Sequence, residues 1–341
     1  MRLLIITQAV DLGDTNLGFF HEWILRFSHA LEFVDVIAQR VGKHHLPANV
    51  GVFGVKQRES DNRIIKLWRM LKLLLHLVPS SDCVFVHMAP AYVIIAWPFT
   101  FFYRKPVVLW YVHKQVDWKL RIAEKMVRRI ISASPESFRL KSNKLLLLGH
   151  GIDTALFTEP RTEPQGCILF TAGRISRSKN LNLLLEGVAM ASLDLPTNWK
   201  FVVSGEPITA DDRVYLRELL GIIAHHGIGE HVVFTGGLPH REMLGHYQLA
   251  VLFLHASTTG SIDKAVLEAM STGLPVISSS EAFPTILPKE YVLTAGTAED
   301  FCRAIKLHWN TGRDPRLRKI IEERFDLSRL VSRIIGSMKE L

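Results

Sequence analysis

The chain has 341 residues, 48% of them hydrophobic and 22% charged, which suits about two ordinary globular domains and excludes a disordered or fibrous chain. The net charge of +8 is lopsided: residues 1–150 carry 21 Lys and Arg against 11 Asp and Glu, and residues 151–341 carry 20 against 22. A basic first half calls for an anionic partner, and the three scattered cysteines (Cys83, Cys167 and Cys302) exclude a disulfide framework or a cysteine-rich metal site and read as reduced, buried thiols in the cytoplasm.

In chain order, Leu3–Ile6 reads as a first buried strand rather than an export signal, since one basic residue and a short apolar run are followed by polar residues. Strands follow at Val34–Ala38, Cys83–His87, Val107–Val112, Ile131–Ser134 and Leu145–Leu148. Helical patterns lie between them at Phe19–Leu31, Arg63–Val78, Ala91–Phe102 and Leu120–Ile130. The apolar run Ala91–Tyr103, interrupted by Pro98, is too short to span a bilayer comfortably. Gly149–Gly166 is rich in turn formers and reads as a linker. A second alternation follows, with strands at Cys167–Ala172, Lys200–Ser204, His231–Thr235, Leu249–Leu254 and Pro275–Ser278. Its helices are Leu181–Ala191, Asp211–His225, His240–Tyr247, Asp263–Ser271 and Ala298–Trp309. A last helical pattern, Leu327–Met338, is expected to pack back across the domain joint. Strand–helix alternation predicts an α/β fold with parallel sheets covered on both faces. The expected domains are 1–150, 151–325 and a terminal helix at 326–341.

No Gly-x-Gly-x-x-Gly follows the first strand, no Walker A pattern is present, and no His or Cys spacing suggests a metal. Two loops are ready for anions. Gly173-Arg174-Ile175-Ser176-Arg177-Ser178-Lys179-Asn180 brings three cations to the carboxyl end of a strand, where α/β folds bind ligands. An Arg fork and a Lys point charge suit a diphosphate. Thr258–Lys264 feeds the N-terminus of a helix that stops at Gly273, and free N–H groups and the helix dipole there favour negative charge. Glu268 on that helix supplies a carboxylate able to accept from sugar hydroxyls beside a phosphate. In the first half, Arg63, Lys66, Arg69 and Lys72 recur at helical spacing among aliphatic residues and Trp68, a basic amphipathic pattern able to lie on an anionic membrane surface. No known nucleic-acid-binding module is present, so nucleic acid is not an expected partner.

The second half closely resembles the C-terminal domain of the family 4 glycosyltransferases of GT-B fold. Gly173-Arg174 with Lys179-Asn180, Gly205-Glu206, Phe234-Thr235-Gly236, and Leu267-Glu268-Ala269-Met270 with Gly273-Leu274-Pro275-Val276-Ile277 carry the resemblance in the family's order. Gly149-His150-Gly151-Ile152-Asp153-Thr154 with Phe157 resembles the family's linker. The resemblance implies two Rossmann-like domains facing a central cleft, acceptor-binding first and donor-binding second, and a retaining transfer of a hexosyl unit from a UDP- or GDP-sugar to a lipid-linked or polysaccharide acceptor. It implies no metal or other cofactor, while the cysteines and the basic amphipathic pattern of Arg63–Val78 predict a cytoplasmic protein, peripheral on the inner membrane face. By the same resemblance Arg174 and Lys179 neutralise the donor diphosphate, Gly173, Ser261 and Lys264 lie around the donor, and Glu268 accepts from the ribose. His113 becomes the active-site histidine, with His87 its competitor, and Gly18 the glycine that lets the backbone approach the phosphates. One departure stands out: Gly260 occupies the position of the family's sugar-binding glutamate, so Asp263, the Ser261 hydroxyl or backbone N–H groups would take over its contacts. Two other activities fit the same residues, a nucleotide-sugar epimerase and an inactive sugar-nucleotide-binding protein.

Overall fold

Every ladder between strands is parallel. The computed structural model describes residues 1–341, which fall into two units: Met1–Gly151 with Leu327–Leu341, and Ile152–Asp326.

Unit 1 runs β1 (Arg2–Val10), α1 (Phe20–Ala30), β2 (Phe33–Val41), β3 (Val50–Gly54), α2 (Arg63–Leu77), β4 (Cys83–His87), α3 (Pro90–Phe102), β5 (Val107–Trp110), α4 (Trp118–Met126), β6 (Arg129–Ser132) and β7 (Leu145–Leu147). Its sheet order is β3-β2-β1-β4-β5-β6-β7. Successive side chains of β1 feed opposite cores, because strand side chains alternate. Leu3 and Ile5 meet Phe20, Trp23 and Phe27 of α1, whereas Leu4 and Ile6 share a core with Met70, Leu74 and Leu77 of α2. A sheet buried on both faces explains the nearly unbroken apolar run of this strand.

Unit 2 runs β8 (Ile168–Ala172), α5 (Leu181–Ala191), β9 (Lys200–Ser204), α6 (Ala210–His225), β10 (Val232–Gly236), α7 (Met243–Leu249), β11 (Leu252–His255), α8 (Lys264–Ser271), β12 (Val276–Ser278), α9 (Ala298–His308) and α10 (Pro315–Arg324). The order β10-β9-β8-β11-β12 reverses direction at β8, so a crevice opens beyond the carboxyl ends of β8 and β11.

The last helix, α11 (Leu327–Lys339), belongs to unit 1, where Leu327, Leu330, Val331, Ile334, Ile335 and Met338 complete the core beside α1. The segment that reads as a linker is built into unit 2 from Ile152 onward. The Ile152 N–H donates to the Phe325 carbonyl at 2.7 Å, and Phe157 is fully buried against Tyr247. Other differences from expectation are local. The helix expected to reach Ile130 ends at Met126, because β6 begins at Arg129, and α7 extends to Leu249, so β11 starts only at Leu252. Strand β3 and helix α10 have no counterpart among the expected elements. Helix α3 runs through Pro98 rather than breaking there. No helix is long and apolar enough to cross a membrane.

Candidate functional site

The crevice of unit 2 is bounded by three loops whose conformations depend on glycine. Gly173 follows β8 at φ +141° and Gly205 follows β9 at φ +149°, and a Cβ on Gly205 would overlap the Gly173 carbonyl. The two backbones therefore touch, and they are tied together where Gly173 N–H donates to the Ser204 carbonyl at 2.9 Å and Ile175 N–H to that of Glu206 at 3.1 Å. A further bond, from Thr258 N–H to the Ser178 carbonyl at 2.9 Å, brings the loop after β11 alongside. Arg174, Lys179 and the Thr258–Lys264 turn thus share one end of the sheet.

Lys179 and Asp263 form an ion pair, with both side chains about four-fifths buried. His255, at the end of β11, lies with Nε2 3.3 Å from the same Asp263 oxygen and Nδ1 2.9 Å from Ser278 Oγ. A carboxylate only accepts, so Nε2 carries the proton and Nδ1 accepts from the serine. Burial holds the His255 pKa below its ordinary value, against the pull of Asp263, and the ring is neutral. Burial alone would raise the Asp263 carboxyl, but Lys179 and His255 outweigh it and hold the acid well below the usual carboxylate range. Asp263 stands at the N-cap of α8 without capping it, because its side chain is engaged by Lys179 and His255. The first N–H groups of α8 are thereby left without a side-chain cap beside two lysines. Lys264 is the first residue of α8, and burial pushes it down from 10.5 to about 7 although Glu268 and Asp263 both pull it up.

Arg174 is half exposed, with Nε 3.6 Å from Asp212. The third cation of that loop, Arg177, is turned away in a bidentate pair with Glu218 at 2.9 and 2.7 Å. Ser261 ends a ladder of hydroxyls, 3.1 Å from Thr259 Oγ1, which is 3.0 Å from Ser257 Oγ. Gly260 is left-handed at φ +69°, and a Cβ there would overlap Oε1 of Glu281. The volume that a side chain at 260 would fill is therefore occupied by a carboxylate from the loop after β12. Glu268 is 6% exposed, and its oxygens accept from Tyr247 Oη at 2.9 Å and His240 Nε2 at 3.0 Å. Tyr247 and His240 thus fix the orientation of the carboxylate.

Gly18 and His113 belong to unit 1. Gly18 sits in the turn before α1, where a Cβ would lie 2.6 Å from the Asp14 carbonyl. His113 is exposed beyond the end of β5, its Nδ1 accepting from the Gln115 N–H at 3.1 Å. Its competitor His87 is 1% exposed, stacked on Phe20 with centroids 3.8 Å apart and 3.1 Å from Thr7 Oγ1. Of the two, only His113 is accessible to a ligand. Sequence reasoning missed His240, Tyr247, His255 and Glu281. Of these, only His255 carried a usable signal, a histidine at the end of a buried strand beside the anion-ready loop. No group of three or more His, Cys, Asp or Glu side chains is arranged to hold a metal ion.

The family model for glycosyl transferases group 1 matches residues 155–316. That stretch, a little under half of the chain, is similar to a glycosyl transferases group 1 domain. The sulfoquinovosyl transferase SQD2 of Arabidopsis thaliana is 25% identical over 212 residues, covering 57% of this chain and 38% of that protein. The lipopolysaccharide core biosynthesis mannosyltransferase LpsB of Rhizobium meliloti (strain 1021) is 27% identical over 144 residues, covering 38% and 39%. The chain spans well under half the length of the curated relatives it matches. Among solved structures, Anabaena HepE in complex with UDP and glucose superposes with a TM-score of 0.77 at 15% identity, covering 100% of both chains. WaaG, a glycosyltransferase involved in lipopolysaccharide biosynthesis, gives 0.65 at 14% identity over 99% of both. At these identities the structural likeness establishes the GT-B fold.

Proposed function

We propose that this protein is a retaining glycosyltransferase that moves a hexosyl unit from a UDP- or GDP-sugar to a lipid-linked or polysaccharide acceptor, with unit 2 binding the donor and unit 1 the acceptor. The observation that carries this reading is the convergence of Lys179, Lys264 and the uncapped N-terminus of α8 at the carboxyl ends of β8 and β11, with Arg174 on the loop that holds Lys179. When the bond from the anomeric carbon to the diphosphate oxygen breaks, the electron pair goes to the diphosphate, and charge grows where these donors lie. Asp263 positions Lys179, and the two remaining Lys179 protons stay available for phosphate oxygens. No metal is needed in this reading, since cations and backbone N–H groups neutralise the leaving group. Glu281 takes the role of the glutamate that Gly260 lacks and accepts from the hexosyl hydroxyls. Glu268, oriented by Tyr247 and His240, accepts from the ribose, and His113 serves the acceptor side. Family 4 membership, activity at the inner membrane face and adsorption through Arg63–Val78 belong to the same proposal. Support for a lipid-linked acceptor comes from relatives whose names contain phosphatidylinositol, lipopolysaccharide core and monoglucosyldiacylglycerol.

The test is turnover of UDP- and GDP-sugars by the purified protein, with hydrolysis counted beside transfer. Lys179→Ala and Arg174→Ala are each expected to lower kcat/KM by roughly a hundredfold, the scale of one lost transition-state donor. Unchanged turnover in both variants would refute the assignment, and product formed without any acceptor would mark an epimerase instead.

A further inference from the structure

Unit 1 holds a pocket of about 270 Å³ that the donor chemistry does not use. Its walls are Ile6, Ile37, Val55, Leu67, Met70 and Ile95, drawn from β1, β2, the residue after β3, and the facing sides of α2 and α3. Thr7, Gln39 and Tyr92 also border it, the last two bonded to each other at 2.6 Å, but the lining surface is mainly apolar, so a saccharide would lose its hydration there and gain few hydrogen bonds. An apolar cavity of roughly 150 Å³ already takes up a benzene-sized hydrocarbon. Arg63 and Lys66 border the same pocket, and neither is ion-paired with an acidic side chain.

The outside of α2 is unusual in the same sense. Its inward face is Met70, Leu74 and Leu77. A second apolar stripe of Ile64, Trp68, Leu71 and Leu75, at i, i+4, i+7 and i+11, faces solvent, with Ile64 76% and Trp68 56% exposed. Neighbouring α3 adds Phe101 and Phe102, exposed by 69% and 76%, and Lys72 lies 4.0 Å over the Trp68 ring. Exposed aromatic and aliphatic side chains interleaved with lysine and arginine match a phospholipid interface in both polarity and charge.

We infer that this pocket holds the hydrocarbon chain of an anionic amphiphile drawn from a bilayer, with its acidic head on Arg63 and Lys66. The chain fills the cavity under Leu67, and the outer stripe of α2 rests among the lipid headgroups. Under the proposed transfer, this makes the acceptor lipid-linked. That consequence rests on the transferase reading, whereas the binding itself does not.

Decyl phosphate, kept below its critical micelle concentration, is titrated into the full-length protein by calorimetry, with butyl phosphate, inorganic phosphate and decanol as parallel arms. Affinity is expected to rise roughly fourfold per added methylene from butyl to decyl, and inorganic phosphate is expected not to bind at the same concentrations. Ile95→Trp, which fills the pocket, should weaken decyl phosphate at least tenfold. Lys66→Glu should weaken decyl phosphate to a similar degree and leave decanol unchanged. If Ile95→Trp fails to fold by circular dichroism, Leu67→Glu at the exposed rim replaces it with the same expectation. Equal binding of butyl and decyl phosphate, or full affinity in a folded pocket variant, would overturn the inference and leave only surface adsorption. Expected binding without turnover of any donor would sink the transferase reading and spare the pocket, and turnover without chain-length dependence would do the reverse.

Discussion

At the first position of α8, Lys264 lies half-buried near Asp263 and Glu268, and burial lowers its ammonium from 10.5 to about 7. In the unfolded chain the same group titrates near its ordinary ~10.4. Between about 7 and 10.5 the folded protein therefore binds fewer protons than the unfolded one, and its stability rises with pH across that window. Lys264→Met should remove this rise and lift Tm at pH 7 by a few degrees, with the gap closing towards pH 10, as followed by thermal unfolding across that range. The same substitution should weaken UDP binding, and wild-type affinity should fall between pH 6 and pH 8 as the ammonium discharges. A variant with unchanged Tm and an unchanged pH profile of UDP affinity would show that Lys264 neither strains the fold nor meets the phosphates. A residue that destabilises the protein at neutral pH while facing an anion site fits selection for ligand over stability.

At the level of elements, most of the fold was legible because the strands of both sheets are buried on both faces and read as short apolar runs. Strands β4 and β9 and helix α5 fall on their expected residues, Cys83–His87, Lys200–Ser204 and Leu181–Ala191. Strand β3 escaped because Val50–Gly54 is an edge strand, half-buried throughout and interrupted by Gly51 and Gly54. Helix α10 escaped because Pro315–Arg324 is mostly charged and buries only Leu317 and Ile321, although Asp314 at its N-cap and Pro315 at its first position are start signals. At the site, loop cations could be read from position after a strand. Glu281 could not, since its approach to Gly260 depends on how the loop after β12 folds back, which no local pattern encodes. Helix α11 was visible as a helix expected to return across the joint, and it is grouped with unit 1, though no local pattern marks α1 as its partner. Ile334 is fully buried in the core beside α1, so Ile334→Ala should cost about 2–5 kcal/mol. Hydrogen exchange should show the loss in β1, α1 and β2 rather than in β8–β12, and equal loss in both sets would contradict the assignment of α11 to unit 1.

On the scale of the whole molecule, charge and chemistry are divided between the units. The basic excess and the apolar stripe of α2 lie in unit 1, and the diphosphate donors lie in unit 2. Ligand effects should be divided likewise. UDP at a hundred times its Kd should stabilise the protein by about 2.7 kcal/mol if it binds only the folded state. The added protection should concentrate in Ile152–Asp326 on hydrogen exchange, and protection confined to unit 1 would place the donor elsewhere.

The return of α11 to unit 1 also bears on how the chain is made. Unit 2 is an insertion within unit 1, so the first 151 residues leave the ribosome lacking the six side chains that close their core. At roughly 5–20 residues per second, the first unit waits about 10–40 s for α11 while the second is synthesised whole. The later domain can therefore finish folding before the earlier one. During that interval the nascent first domain offers chaperones an apolar groove along α1, which the chain's own last helix eventually covers.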